Sequence, residues 1–125
     1  MKELMRTLKA LADTTRVRII KMLQNKSLCV CELQEILGIA QSSVSRHLKI
    51  LEDAGLVEHE KCGQWVNYRL ITKGENPYAW TMLYHLGSWL EDHSQTQKDR
   101  ELMKSVNRET LCRKKDQNTS LSSLS

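Results

Sequence analysis

The fold is decided by one stretch of sequence, Gln41-Ser42-Ser43-Val44-Ser45-Arg46-His47-Leu48-Lys49, and by the short segment before it. Apolar residues at positions 44, 48 and 51 recur with helical spacing and predict a helix that runs to about Ala54. A shorter helix is predicted ahead of it, from about Val30 to Leu37, and Gly38 ends that helix. Two short helices joined by a tight, glycine-containing turn are typical of a helix–turn–helix.

The flanking segments complete a winged helix–turn–helix. Two helices are predicted ahead of the motif, over residues 2–12 and then to about Gln24, because apolar residues recur there at helical spacing. After the motif, strands are predicted at Leu56–Lys61 and Trp65–Ile71, with a turn that contains Gly63. The predicted fold class is therefore mainly α with a β-hairpin, the wing.

A last helix is predicted after Pro77, and its apolar residues occupy more than one side. One stripe contains Trp80, Leu83, Tyr84 and Leu90, and a second contains Leu86 and Trp89. Such a helix must be covered on several faces, and few residues remain in the chain to cover it. We therefore expect a homodimer that pairs through the first and last helices. The predicted interface residues are Leu4, Leu8, Leu11, Trp80, Leu83, Leu86 and Leu90.

Length and composition predict one domain over residues 1–93, a helical extension over 94–116 and a disordered, serine-rich tail over 117–125. No apolar run approaches the ~18 residues that cross a bilayer, and charges interrupt the start where a secretory signal would be apolar. A cytoplasmic protein with no membrane partner is expected, in which cysteines are thiols. The chain contains no Cys-x-x-Cys pair, phosphate loop or His-Glu-x-x-His, so no enzyme is expected.

The start of the second motif helix is suited to reading double-stranded DNA. Residues 41–49 contain no acid, and short polar side chains precede Arg46 and Lys49. A recognition helix places such polar groups on base edges and its cations on phosphates. Helix caps and a solvated face are the alternative for the serines alone, and His47 is expected to support the helix. The predicted DNA-binding residues are Gln41, Ser42, Ser43, Ser45, Arg46, Lys49, Lys61, Gln64 and Arg69.

Four segments, in order and without large gaps over about residues 4–93, resemble the ArsR/SmtB family of metal-responsive repressors. They are Ala10–Ile19, Gln41–Leu48, Leu51–Val57 and Gly63–Leu70. The resemblance implies a winged-helix dimer that binds a palindromic operator overlapping its own promoter and is released when an ion binds. The two reading helices of such a dimer lie about one helical turn apart on DNA, or a multiple of it.

A cysteine pair, in Leu28-Cys29-Val30-Cys31-Glu32-Leu33, opens the first helix of the motif. Side chains at i and i+2 of a regular helix point about 200° apart and cannot share a ligand. They can converge only if Cys29 lies at or before the N-cap, or if the first turn is distorted. Binding both sulfurs to one ion would thus reshape a helix that packs beside the reading helix.

This cysteine segment resembles the inducer site of the arsenite and antimonite repressors of the family. The resemblance implies As(III) or Sb(III) as inducer, bound by Cys29 and Cys31. The fuller family motif has a third cysteine where this chain has Gln34. A water, a small thiol or a remote cysteine could complete the site. Cys112 is the preferred remote ligand, and Cys62, in the wing, is the weaker candidate.

Other readings of the cysteines stay open. A related branch senses Cd(II), Pb(II) or Zn(II) with additional N-terminal cysteines, which residues 1–12 lack. A zinc site on the last helix would need a ligand spacing that His85, Glu91, Asp92 and His93 do not reproduce. A dithiol redox switch of the same fold and, in another class, a thiol-based metal carrier complete the alternatives.

Overall fold

Six helices and one three-stranded sheet make up residues 1–106, the part of the chain that this computed structural model describes. The sheet has the strand order β1-β3-β2. The elements are α1 (Lys2–Leu11), α2 (Thr14–Leu23), β1 (Leu28–Cys29), α3 (Val30–Leu37), α4 (Gln41–Asp53), β2 (Val57–Cys62), β3 (Trp65–Leu70), α5 (Pro77–Leu86) and α6 (Ser94–Ser105). The predicted fold class, mainly α with a hairpin wing, is confirmed.

The helix ends follow from local chemistry. The Asp13 side chain accepts a hydrogen bond of 3.0 Å from the backbone N–H of Arg16 and so caps α2. Gly38 ends α3 in the left-handed conformation, with φ 67°, which a residue without Cβ adopts at little cost. The bounds predicted for α3 and α4 therefore agree with the structure to within about one residue.

The wing has a third strand that the sequence did not indicate. β2 and β3 pair antiparallel from Val57 opposite Leu70 to Cys62 opposite Trp65, as predicted. β1, only two residues long, pairs with the other edge of β3, so that Cys29 lies opposite Asn67. Two residues are too short to show an alternating pattern, so this strand left no signal in the sequence.

The helix predicted after Pro77 was expected to carry its apolar stripe through Leu90, and this was wrong. α5 ends at Leu86, and a turn follows that includes Leu90 in a left-handed conformation with φ 63°. A second helix, α6, starts at Ser94, where the ring of His93 accepts a hydrogen bond of 3.1 Å from the N–H of Gln95. The apolar stripe drawn through Leu90 thus crossed a break in the helix. Residues 107–116 of the predicted extension and the predicted tail lie outside the described residues.

α6 is held against α2 by buried charge. Arg18 donates two hydrogen bonds of 2.9 Å each to the Asp99 carboxylate, which is buried. The buried Lys21 ammonium donates to the Leu86 carbonyl at 2.7 Å and to Glu91 at 3.0 Å. Removing one partner of such a pair would leave an uncompensated charge, at a cost of about 3–5 kcal/mol. α6 is therefore an integral layer of the core.

No helix of residues 1–106 is both long enough and apolar enough to cross a membrane.

Candidate DNA-reading surface and cysteine site

α4 turns one face to the core and presents a polar face outward. Val44, Leu48 and Leu51 have no exposed surface. Ala40 is the N-cap residue and no side chain caps the helix, so the serines do not serve as N-caps here. Of the predicted DNA-binding residues on α4, Ser43 is half-buried and the others are exposed: Gln41, Ser42, Ser45, Arg46 and Lys49.

α4 is braced against α1 through one arginine. Arg16 donates to the carbonyls of Ala10 and Lys9, at 2.6 and 3.2 Å, and its guanidinium lies 3.2 Å from Nδ1 of His47. His47 is half-buried and thus supports the position of α4. This agrees with the supporting role expected for it.

The wing offers less positive charge than its sequence suggested. Lys61 and Gln64 are exposed near the hairpin turn. Arg69 is exposed as well, but its guanidinium donates to Glu58 at 2.9 Å and to Glu60 at 2.7 Å. The hydrogen bond to Glu58 is the main cause of the raised pKa of Arg69, and the negative charges of Glu58 and Glu60 add to the rise. The expected phosphate contact by Arg69 must therefore displace two carboxylates, which the sequence argument did not foresee.

The cysteine pair straddles the junction between β1 and α3. Cys29 is the N-cap of α3, in extended conformation with φ −93° and ψ 169°. Its backbone N–H donates to the Glu32 carboxylate at 3.0 Å, and its side chain is only 4% exposed. Cys31 lies in the first turn of α3 and is half-buried. Cys29 thus occupies the N-cap position, which is one of the two arrangements in which both sulfurs could bind the same ion.

The Cys29 thiol is protonated at neutral pH. Burial raises its pKa to about 11, and the Glu32 carboxylate adds to the rise. The backbone N–H of Glu32 acts in the opposite direction, as the helix N-terminus was expected to do, but burial outweighs it. The sequence predicted a thiolate at this helix start. Because its pKa is raised, Cys29 instead carries a protonated thiol when no inducer is bound.

Within residues 1–106, no group of three or more His, Cys, Asp or Glu side chains is arranged to hold a metal ion. This includes the residues weighed for zinc at 85–93. Cys62 is exposed at the end of β2, two strands away from Cys29. Cys112, the preferred third ligand, lies outside the described residues.

The predicted dimer residues separate into two groups. Leu83 and Leu86 are 8% and 5% exposed and pack in the core of the chain itself, so little of their surface is left for a subunit contact. Leu4 and Leu11 are half-buried, whereas Leu8, Trp80 and Leu90 are exposed. Two aromatic residues left out of the predicted set, Tyr84 and Trp89, are exposed beside them. Trp80 stacks on Tyr84 with ring centroids 6.1 Å apart, and His85 stacks on Trp89 at 5.4 Å.

The helix–turn–helix region matches a known family. A family model described as "Bacterial regulatory protein, arsR family" matches residues 13–59, from the cap of α2 into β2. HlyU from Vibrio cholerae N16961 is 34% identical, with a TM-score of 0.58 over 68% of this chain and 88% of HlyU. The chain belongs to the arsR family.

Two further relatives of this arsR-family chain match different shares of its length. Arsenic resistance transcriptional regulator ArsR1 of Pseudomonas putida is 46% identical over 63 residues, which are 50% of this chain and 49% of ArsR1. The homodimeric winged helix–turn–helix DNA-binding domain Mb0332 of Mycobacterium bovis, a possible ArsR-family regulator, is 25% identical. Its TM-score is 0.60 over 74% of this chain and 82% of that domain. The chain spans about half the length of the curated relatives it matches.

Proposed function

We propose that this chain is a homodimeric transcriptional repressor of a metal(loid)-resistance operon, which leaves its operator DNA when As(III) or Sb(III) binds Cys29 and Cys31. One observation carries the proposal: Cys29 is the N-cap of α3 while Cys31 lies in the first turn of the same helix. The inducer would therefore act at the start of the helix that packs against the reading helix α4.

The position of Cys29 links inducer binding to the surface that would contact DNA. Its backbone N–H is tied to Glu32, and as part of β1 it pairs with Asn67 in the central strand of the wing. The contacts that would change when a shared ion draws the buried Cys29 sulfur toward Cys31 are the cap of α3 and the β1–β3 pairing. Relief of repression by about a hundredfold needs a difference of about 2.8 kcal/mol in inducer affinity between the two forms. Two or three hydrogen bonds of about 1 kcal/mol each are of that size.

The protonated Cys29 thiol favours arsenite over a divalent cation. When arsenous acid, As(OH)₃, reacts with a thiol, an As–S bond forms and an As–OH bond breaks. The thiol proton leaves with the hydroxide as water, so no proton is released. A divalent ion such as Cd(II) must instead displace the proton from a thiol whose pKa is about 11. The name of ArsR1, an arsenic resistance regulator, points to the same class of inducer.

A third donor is needed for a three-thiolate site, and we assign it to Cys112. Cys112 lies six positions after Val106, the last described residue, and a fully extended chain of that length spans about 20 Å. The partner subunit's copy is the other possible source. Cys62 is the less suitable donor, since it lies across the sheet from Cys29.

The proposal is tested by fluorescence anisotropy with a labelled duplex from the promoter region of the protein's own operon. Wild-type protein should bind it more tightly than a duplex of random sequence and release it when arsenite is added. Cys29→Ser should bind equally well and fail to release, whereas the matched control Cys62→Ser should behave as wild type. Release of Cys29→Ser by arsenite would refute the sensor assignment, and equal affinity for both duplexes would refute the repressor.

X-ray absorption at the arsenic edge of the loaded protein counts the sulfur neighbours directly. Three sulfurs in wild type and two in Cys112→Ser are expected. An unchanged count and affinity in Cys112→Ser would remove that residue from the site. Release of DNA on addition of an oxidant alone, without arsenite, would instead support the dithiol switch.

A further inference from the structure

A groove between α1 and α4 is strongly basic. It has a volume of about 590 Å³ and is lined by Met1, Lys2, Met5, Arg6, Lys9, Ala10, Arg16 and Ile50. Four of these residues are cations, and no carboxylate-bearing residue is among them. The overall charge does not reveal this basic groove, since residues 1–93 as a whole carry a net charge of only +1 (12 basic and 11 acidic residues).

Three of the cations form one stripe on α1. Lys2, Arg6 and Lys9 follow each other at spacings of four and three residues, so they share a face of the helix. All three are exposed. Within residues 1–106, none of them lies within ion-pair distance of a carboxylate. Their charge is therefore available to an anionic partner.

The stripe continues the outward face of α4. Ile50 lines the groove and lies one helical turn after Arg46, on the same side of α4. Arg16 fixes the two helices relative to each other, because it bonds the carbonyls at the end of α1 and the ring of His47. A row of positive charge thus runs from Arg46 across the groove to the start of α1.

We infer that Lys2, Arg6 and Lys9 bind the phosphate backbone of duplex DNA beside the groove read by α4, and so extend the DNA contact beyond the helix–turn–helix and wing. The inference rests on the proposed function, namely that α4 binds DNA. Spaced cations without carboxylate partners match the spaced phosphates of a duplex. The exposed apolar side chains of Met5 and Ile50 can contact deoxyribose between them.

The wing has fewer cations without carboxylate partners than α1 has, which supports the assignment of phosphate contacts to α1. Its Arg69 is already bound to Glu58 and Glu60, so Lys61 is the one hairpin cation of the described residues without an ion pair. Non-specific affinity for DNA depends on the number of phosphates that cations neutralise. The α1 stripe doubles in a dimer, which would then present six such cations.

The salt dependence of DNA binding tests the inference with the full chain. The triple variant Lys2→Gln/Arg6→Gln/Lys9→Gln keeps good helix formers and should fold. Affinity for a labelled random-sequence duplex is measured between about 50 and 200 mM salt. Each phosphate contact contributes about 0.9 to the slope of log affinity against log salt concentration. The triple variant removes three contacts from each subunit of the dimer, so the slope should become flatter by about 5.

The control Lys26→Gln/Lys98→Gln/Lys104→Gln removes the same charge from exposed positions on and beside α6. Its slope should stay within about 1 of wild type. The charge-retaining variant Lys2→Arg/Arg6→Lys/Lys9→Arg should keep the wild-type slope. Equal slopes for the triple variant and the control would overturn the inference.

Sedimentation at the concentrations used must show the same oligomeric state for the triple variant and wild type. A shift toward monomer that accounts for the loss of affinity would overturn the inference, since the stripe would then serve the subunit contact. Failure of the proposed repressor is distinguishable: it would appear as equal affinity of wild type for promoter and random duplexes, whatever the slopes.

Discussion

The two helices of the helix–turn–helix begin in opposite ways. α4 begins without a side-chain cap, and polar side chains and Arg46 stand exposed along its first turns. α3 begins at the buried Cys29, tied to Glu32 and to the central strand of the sheet. The first start is open to a large partner and needs no rearrangement. The second is closed, so a small reagent can act on it only by changing the structure.

In the proposed function, DNA binding depends on the start of α4, whereas the response to an inducer depends on the start of α3. Substitutions on α4 should change DNA affinity without affecting the inducer. Changes at the start of α3 should alter thiol chemistry and leave the DNA affinity of the empty protein unchanged.

The largest effect is expected on the open helix start. Arg46→Ala removes an exposed cation, and a side chain that contacts a base or phosphate contributes about 1–3 kcal/mol in each subunit. Two copies in a dimer should lower operator affinity on the order of a hundredfold. Anisotropy measures the loss, with Lys98→Ala on α6 as the control. A loss below about threefold for Arg46→Ala would show that α4 is not the reading helix.

The next effect is a difference in pH dependence at the closed helix start. Burial raises the pKa of Cys29 to about 11, so this thiol stays protonated between pH 6 and 9. Affinity for Cd(II) should therefore rise about tenfold per pH unit for this thiolate alone. Arsenite affinity should stay nearly flat over the same range, because water carries the thiol proton away. Competition titrations measure both, and an arsenite slope equal to that of Cd(II) would contradict the expected exchange.

A smaller effect should follow from Glu32→Gln. The amide oxygen can still accept from the Cys29 N–H, but the carboxylate charge that raises the pKa of Cys29 is gone. Burial, the larger cause, remains, so the pKa should fall only part of the way and alkylation at pH 8 should accelerate a few-fold. The rate is read in protein whose other cysteines are serine. Glu35→Gln, exposed on the same helix, is the matched control and should not change it.

The smallest effect is expected in the wing. Arg69→Gln removes a guanidinium that is already bound to two carboxylates and leaves those carboxylates uncompensated, so operator affinity should fall only by a few-fold. The double variant Glu58→Gln/Glu60→Gln should instead tighten DNA binding, because it leaves Arg69 uncompensated. A loss of tenfold or more for Arg69→Gln would show that the arginine exchanges its carboxylates for phosphate.

The sequence predicted those parts of the fold that depend on local periodicity. The stripe of Val44, Leu48 and Leu51 and the glycine after Leu37 defined α3 and α4, since core burial and a left-handed cap leave direct marks. The break after Leu86 is followed by Gly87, but this glycine keeps a right-handed conformation with φ −58°, and Leu90 continues the apolar spacing beyond it. Periodicity also could not show that Leu83 and Leu86 face the chain's own core.

The sequence predicted which residues form the candidate site better than it predicted their burial and their charged neighbours. Sequence placed Cys29 and Cys31 at a helix start, but the pairing of β1 with β3, which buries Cys29, joins residues far apart in the chain. The same holds for Arg69, whose carboxylate partners lie on the neighbouring strand, and for Arg16 and His47, which are 31 positions apart. Long-range contacts of this kind set charge and pKa, and one sequence does not show them.

The two-residue strand β1 also protects the protein. It covers one edge of β3, and an uncovered strand edge pairs readily with other chains. An inducer that pulls Cys29 out of its place opposite Asn67 would expose that edge in every loaded molecule. The loaded form would then be the one prone to self-association and proteolysis, which would limit its lifetime.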